Sequence, residues 1–338
     1  MRAEAASPLL WCAAMRAIFM GTPELAVASL EALVEVCRAR GGDVVGVVCQ
    51  PDRPAGRGMQ LAEPPVKARA KALGLEVIQP TKVRDGALAR WIRDKQADVA
   101  LVIAYGRILP KEVLEAPRRG CVNLHASILP KYRGAAPIAW AIANDERETG
   151  VALMQMDEGL DTGPVYAVRT LAIGADETTP ELSRRIAALA AELVREALAD
   201  VVDGKVAPAL QDHAAHTVAR ILAKEDGVID FAKPARAIHA HVRAMTPWPS
   251  AVTRLADGKS LKVLRTRPVD ATIASPVARA PGAVLLADRS GVVVACGPNG
   301  EDAIAILEAQ PEGRKAANAG DLVNGRVIAA GARLGVPR

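Results

Sequence analysis

The sequence predicts an α/β protein. An open, doubly wound, mostly parallel (Rossmann-like) sheet domain comes first, and a small C-terminal β-barrel (OB-like) domain follows. Three observations predict this. Short apolar runs alternate with amphipathic segments from residue 16 to residue 125, the pattern of βαβ units around a parallel sheet. Beyond about residue 220 the alternation gives way to short strands separated by turn residues, as in a small all-β domain. The length, 338 residues, suits about two domains.

The elements follow in order. Arg16 to Met20 is a short apolar run, read as a buried strand, and Gly21-Thr22-Pro23 closes it. Thr22 is placed to cap a helix with Pro23 at its first position. Glu24 to Cys37 carries apolar residues at helical spacing, and Val44 to Cys49 is a second strand. A helix over Pro65 to Leu73 leads to a short strand at Val77-Ile78. A helix over Val83 to Lys95 leads to a buried strand at Val99 to Ala104. Cys121 to His125 is the next strand. A Pro/Gly-rich loop, a helix from Pro137 to Asn144, and strands over Val151 to Met156 and Pro164 to Thr170 follow. Thr179-Pro180 opens a long Ala-rich helix to Val202, and Gly204 to Ala215 is a polar connector. The second half has a helix over Ala235 to Met245. Strands come next, at Ala251-Thr253, Lys262-Arg265, Gly282-Leu286, Gly291-Ala295 and Ala303-Ala309. The domain reading is therefore a catalytic domain over 15–205, a linker over 206–219 and a barrel over 220–330. Residues 1–14 are read as a disordered extension or a mis-assigned start ahead of Met15, since Glu4 and Pro8 leave too short an apolar core for a signal peptide.

Composition narrows the function. Only two Phe, three Tyr and four Trp are present, so Ala, Val, Leu and Ile must build the core. No apolar run approaches the roughly 18 residues that cross a bilayer. The five Cys are scattered without a CxxC pair, which argues against a disulfide framework or a Cys-rich zinc site and favours a reducing, cytoplasmic setting. His213/His216 and His239/His241 lack further ligands at suitable spacing and read as surface or structural histidines. The net charge of +5 is mild, but it is uneven. Residues 220–338 hold 17 basic and 11 acidic side chains, while the rest is close to neutral. A polyanionic partner fits the C-terminal part.

Few residues could carry chemistry. His125 is the only His before residue 213, and Asn123 lies two positions earlier, on the same face of the strand. Both sit at a strand's carboxyl end, where open α/β sheets place their ligand crevice. An amide that donates to an oxyanion beside an imidazole that moves a proton suits acyl transfer. The same spacing also fits a histidine satisfied in the core. The turn-rich Asp157-Glu-Gly-Leu-Asp-Thr-Gly163 offers carboxylates that could orient His125, and it also fits a solvated turn. Pro51-Asp-Arg-Pro-Ala-Gly-Arg-Gly58 is a basic loop whose Arg53 and Arg57 could meet phosphates, or an ordinary surface loop. Gly21-Thr-Pro23 lacks both the G-x-G-x-x-G pattern and a Walker Lys, so a nicotinamide or ATP site is poorly supported.

Taken together, these stretches resemble a known family. Cys121-Val-Asn-Leu-His-Ala-Ser-Ile-Leu-Pro-Lys-Tyr-Arg-Gly-Ala-Ala-Pro-Ile138 and Met156-Asp-Glu-Gly-Leu-Asp-Thr-Gly163 resemble the two signatures of the folate-dependent formyltransferases. Three features resemble the branch that formylates methionyl initiator tRNA: Ile18-Phe-Met-Gly-Thr-Pro-Glu24, Gln50-Pro-Asp-Arg-Pro-Ala-Gly-Arg-Gly58, and Pro247-Trp-Pro249 preceded by Ala223-Lys-Glu-Asp-Gly-Val-Ile-Asp230. The resemblance runs from Met15 to about Val327. It implies 10-formyltetrahydrofolate as donor, methionyl initiator tRNA as acceptor, no metal, no membrane association and a monomer. It places the catalytic set on Asn123, His125 and Asp161. It places folate contacts on Ser127, Ile128, Leu129 and Pro130, with Ile128 standing where the family has Leu, and on Arg107, Ile108 and Leu109. It also gives Arg53 and Arg57 to the tRNA acceptor end and the C-terminal barrel to the tRNA body.

Overall fold

Apolar runs pair wherever their two faces can both be covered, and the first half of the chain supplies such runs in succession. The computed structural model describes residues 14–55, 60–270, 280–288 and 291–335. In chain order the elements are β1 (Arg16–Gly21), α1 (Val27–Ala39), β2 (Asp43–Val48), β3 (Arg53–Ala55), β4 (Gln60–Ala62), α2 (Pro65–Ala72), β5 (Val77–Ile78), α3 (Ala87–Asp94), β6 (Val99–Ile103), α4 (Lys111–Leu114) and β7 (Cys121–His125). Then come β8 (Arg133–Gly134), α5 (Pro137–Ala143), β9 (Glu148–Gln155), β10 (Val165–Ala172), α6 (Thr179–Val202), β11 (Val218–Ala219) and α7 (Ala235–Met245). The chain ends with β12 (Ala251–Arg254), β13 (Ser260–Val269), β14 (Val284–Asp288), β15 (Gly291–Cys296), β16 (Asp302–Pro311), β17 (Ala317–Asn318) and α8 (Ala319–Asn324).

The chain divides into two compact units. One comprises Met1–Pro130, Gly150–Arg169 and Arg185–Ala215, the other Lys131–Thr149, Thr170–Arg184 and His216–Arg338. The first is built on a seven-stranded sheet in the order β10-β9-β7-β6-β1-β2-β5. Strands β5, β2, β1, β6 and β7 run parallel, and β9 runs antiparallel to β7. Every residue of β6 and β7 is buried, as expected for strands covered on both faces. Ile18, Met20, Val48, Leu88, Ile92 and Val113 form part of one core that packs α3 and α4 on the sheet. Because the chain moves from β1 to β2 on one side and later to β6 on the other, the crevice at the carboxyl ends opens between β1 and β6.

Some local expectations change. Thr22 does not cap α1, because a 3₁₀ turn at Glu24–Ala26 with Pro23 before it comes first. The Thr22 hydroxyl donates to the Tyr105 carbonyl at 3.2 Å and accepts from the Gln50 amide at 3.3 Å. It thereby ties the ends of β1, β2 and β6 together. A Cβ on Gly21 would lie 3.0 Å from the Ile103 carbonyl oxygen and closer still to Phe19 and Ala26, so glycine permits the packing there. Helix α3 starts at Ala87, because Gly86 has φ +75° and the Asp85 carboxylate accepts from the Ala87 amide at 3.0 Å. The stretch containing Arg53 forms a two-stranded hairpin, with Arg53 opposite Ala62 and Ala55 opposite Gln60. Residues 1–13, at the N-terminal stretch read as an extension, and Arg57 lie outside the described residues.

The second unit carries an antiparallel sheet in the order β12-β13-β16-β15-β14, with β17 also on β16. Among the described residues no ladder joins β12 to β14. Segments 131–149 and 170–184 pack with this unit, although their sequence neighbours do not. Strand β8 pairs with β11, α5 packs on α7, and Tyr132, Ala141 and Ala219 form a small core. Buried His239 meets Thr266 Oγ1 at 3.1 Å and the Ala175 carbonyl at 3.0 Å, while His213 and His216 are exposed. Cys37, Cys49, Cys121 and Cys296 are buried and unpaired. Burial pushes the Cys37, Cys121 and Cys296 thiols up to about 12. No helix among the described residues is long and apolar enough to cross a membrane.

Candidate active site

Strand β7 ends at the same side of the sheet as β1 and β6, and alternation along it aims Asn123 and His125 to one face. Both are buried, at 8% and 5% exposure. The loop after β9 supplies the third group. Since β9 runs antiparallel to β7, with Val122 opposite Gln155, this loop starts beside the beginning of β7. The Met156 amide donates to the Cys121 carbonyl at 2.8 Å. The loop then returns along β7, and Asp161 reaches both side chains. Its Oδ1 accepts from Asn123 Nδ2 at 3.4 Å, and its Oδ2 lies 3.6 Å from His125 Nδ1. Asp161 has φ +52°, a left-handed conformation that Asp and Asn tolerate better than most residues.

The loop is fixed from within. Asp157 Oδ1 accepts from the Gly159 amide at 3.1 Å and from the Thr162 hydroxyl at 2.7 Å. A Cβ on Gly163 would fall 2.0 Å from the Gln155 carbonyl oxygen, so no side chain fits there. Gln211 provides the outer clamp: its Nε2 donates to the carbonyls of Asp161 at 2.9 Å and Gly163 at 2.7 Å. Sequence reasoning missed Gln211, which lies in the polar connector 204–215. Its one signal is burial of an amide side chain, and that is visible only in three dimensions.

Beside this cluster is a cleft of about 150 Å³. Arg107, Ile108 and Leu109, which follow β6, line one wall, and Met154, Met156 and the 157–161 loop line the other. Ile108 and Leu160 are exposed, so the cleft presents apolar surface next to Asp161. This suits a ligand with an apolar body held by a few polar groups.

The structure thus brings Asn123, His125 and Asp161 together, with Arg107, Ile108 and Leu109 in the adjoining cleft. Ser127, Ile128, Leu129 and Pro130 do not line that cleft. The Ser127 amide donates to the His125 carbonyl at 2.9 Å, and the Ser127 side chain is buried. Leu129 packs with Ala152, Met154, Val165 and Val168. These residues form the turn that carries the chain away from His125. Arg53 lies on the hairpin, and its guanidinium donates to Gln50 Oε1 at 2.6 Å. Gln50 in turn donates to the carbonyls of Tyr105 and Gly106 at 2.9 and 3.0 Å. The base of the basic hairpin is therefore coupled to the loop that opens the cleft wall. Among the described residues no group of three or more His, Cys, Asp or Glu side chains is arranged to hold a metal ion.

A parallel sheet with an amide, an imidazole and a carboxylate converging at its ligand crevice has the parts of an acyl-transfer enzyme. Residues 15–198 match the formyl transferase family, and residues 221–327 match the formyl transferase C-terminal domain. The class is therefore formyl transferase. The chain is 60% identical over 321 residues to the methionyl-tRNA formyltransferase of Sorangium cellulosum strain So ce56, covering 95% of this chain and 100% of that relative. The chain belongs to the methionyl-tRNA formyltransferase family. Among solved structures, an N-formyltransferase from Helicobacter canadensis in complex with folinic acid and dTDP-3-aminofucose shares the fold. Its TM-score is 0.62 at 18% identity, covering 88% of this chain and 99% of that one. HypX from Aquifex aeolicus in complex with tetrahydrofolic acid also shares it, with a TM-score of 0.60 at 18% identity. There the match covers 94% of this chain and 48% of that one, so this chain spans about half of HypX.

Proposed function

We propose that the chain transfers the formyl group of 10-formyltetrahydrofolate to the α-amino group of methionyl initiator tRNA, giving N-formylmethionyl-tRNA for translation initiation. The observation that carries this reading is the convergence of Asn123, His125 and Asp161 beside an apolar cleft, in a chain 60% identical to a methionyl-tRNA formyltransferase. Asn123 and His125 donate to the formyl oxygen as the neutral amine adds to the formyl carbon, and so stabilise the charge that develops there. Asp161 orients His125 and supports its charged form. The proton lost by the amine passes by way of this pair to N10 of the folate as the bond from N10 to the formyl carbon breaks. No covalent enzyme intermediate is required.

In this reading Arg107, Ile108 and Leu109 hold the folate in the cleft, and Ser127, Ile128, Leu129 and Pro130 support its reactive end. Arg53 and Arg57 meet the acceptor end of the tRNA. Residues 15–205 carry the chemistry, 206–219 link, and 220–330 hold the tRNA body. The protein works as a cytoplasmic monomer without a metal. The test is direct: incubation with 10-formyltetrahydrofolate and methionyl initiator tRNA, followed by base hydrolysis, yields N-formylmethionine. Formylation of a nucleotide-linked amino sugar, with methionyl-tRNA left untouched, would refute the assignment.

A further inference from the structure

Tryptophan side chains in folded proteins are mostly covered, and their indole N–H groups mostly have partners. Two of the tryptophans here follow that rule. Trp91 donates to Glu76 Oε1 at 3.2 Å, with Lys95 Nζ 5.4 Å from its ring centroid. Trp140 donates to the Arg220 carbonyl at 2.8 Å, with the Arg220 guanidinium 5.0 Å from its ring centroid. Trp248 has neither kind of partner among the described residues, and it is 54% exposed.

Its backbone is nevertheless firmly held. Thr246 Oγ1 donates to the Val242 carbonyl, Ser250 Oγ to the Pro247 carbonyl, and the Ser250 amide to the Met245 carbonyl, all within 2.8 Å. On one side the turn packs against Gly227, where a Cβ would lie 2.2 Å from the Ser250 carbonyl oxygen and 3.3 Å from Pro249. The ring is thus displayed on a pre-organised turn at the head of β12.

The strand that follows the turn carries a surface of mixed character. Val228, 64% exposed, bridges Val252 on β12, and Val252 lies opposite Lys262 on β13. Arg254 follows two residues on, on the same solvent face. Lys262 and Arg254 are exposed and make no ion pair among the described residues. An unpartnered aromatic face, with apolar surface and uncompensated cations on the strands that follow it, is the combination that binds an unstacked nucleobase and the backbone that continues from it. Residues 220–338 also hold the positive excess of the chain.

We propose that Trp248 is a tRNA-positioning residue: its indole stacks on an unpaired base of the tRNA, while Lys262 and Arg254, further along β13 and β12, meet phosphates of the same RNA strand. The inference rests on the proposed function and adds a specific contact to it. A stacking contact predicts that, in the full-length protein, Trp248→Ala raises the KM for methionyl initiator tRNA about 5- to 100-fold, with kcat and the folate KM within about two-fold of the parent. Trp248→Phe restores most of the loss, because any aromatic face can stack. The slope of log K against log salt is unchanged in Trp248→Ala but falls by about one in Lys262→Gln. Binding of uncharged initiator tRNA quenches tryptophan emission in the parent, and Trp248→Phe loses that signal. A tRNA KM within two-fold of the parent in Trp248→Ala overturns the proposal. So does an equal loss of folate affinity and melting temperature in the Ala and Phe variants, or loss of self-association in Trp248→Ala in place of tRNA affinity. Should the parent bind tRNA with Trp248-dependent quenching yet fail to formylate it, the stacking contact stands and the proposed function falls.

Discussion

Asp161→Asn isolates the charge of the carboxylate from its shape. Asn tolerates the left-handed backbone at this position at least as well as Asp does, so the loop keeps its path and Gln211 keeps both of its bonds. What disappears is a negative charge 3.6 Å from His125 Nδ1, between side chains that are only 6% and 14% exposed. At an effective dielectric of 20, two unit charges at that separation attract by about 5 kcal/mol. This attraction acts on the imidazole as it carries the transferred proton, so its loss falls on the barrier and not on substrate binding. The expected loss in kcat is therefore about three powers of ten, with the folate KM nearly unchanged. The assay is single-turnover formyl transfer at saturating folate and methionyl-tRNA, with the melting temperature as a control for folding. A kcat within about ten-fold of the parent, in a variant of unchanged melting temperature, would refute the role given to this carboxylate.

Four further outcomes are expected. Gln211→Ala removes two hydrogen bonds that hold the loop, and leaves two poorly solvated carbonyls. Since such bonds are worth about 1 kcal/mol each, kcat falls by up to about thirty-fold with a modest drop in melting temperature, measured by the same assay and calorimetry. Glu181 accepts from the hydroxyl and amide of Thr178 at 2.6 and 2.8 Å, and these bonds hold its carboxyl down at about 2. Its folded pKa lies below the unfolded one, so the stabilisation is complete above about pH 4.5 and is lost as pH falls toward 2. Glu181→Ala costs about 1 kcal/mol at neutral pH and flattens the acid limb of stability in a denaturant titration followed by pH. Methionyl-tRNA binding weakens as salt rises. Arg57→Ala lowers kcat/KM for methionyl-tRNA while leaving folate binding intact, which parallel titrations with each substrate would show.

Strands β1, β6 and β7 were legible because a strand covered on both faces must be apolar throughout, and a short unbroken run records that. Helix α6 was legible from Thr179-Pro180 and the long Ala-rich stretch after it. The hairpin of β3 and β4 was not. Arg53, Pro54 and all three residues of β4 are exposed, so no alternation marks the pairing. Strands β8 and β11 are two residues each and carry no periodicity. Nor does any local pattern say that 131–149 and 170–184 pack with residues beyond 216. Hydrophobic spacing records that a face is covered, not by what.

The candidate site divides in the same way. The residue types, the two-residue spacing of Asn123 and His125, and the position of both at a strand end are all written in the order of the amino acids. They follow from the geometry of one strand, which is local. The approach of Asp161 is not local. It depends on β9 running antiparallel to β7, on the loop doubling back, and on a glutamine fifty residues away holding two of its carbonyls. Distances of 3.4 and 3.6 Å between groups 38 and 36 positions apart arise from the packing of several elements at once, and no pairwise rule of spacing contains them.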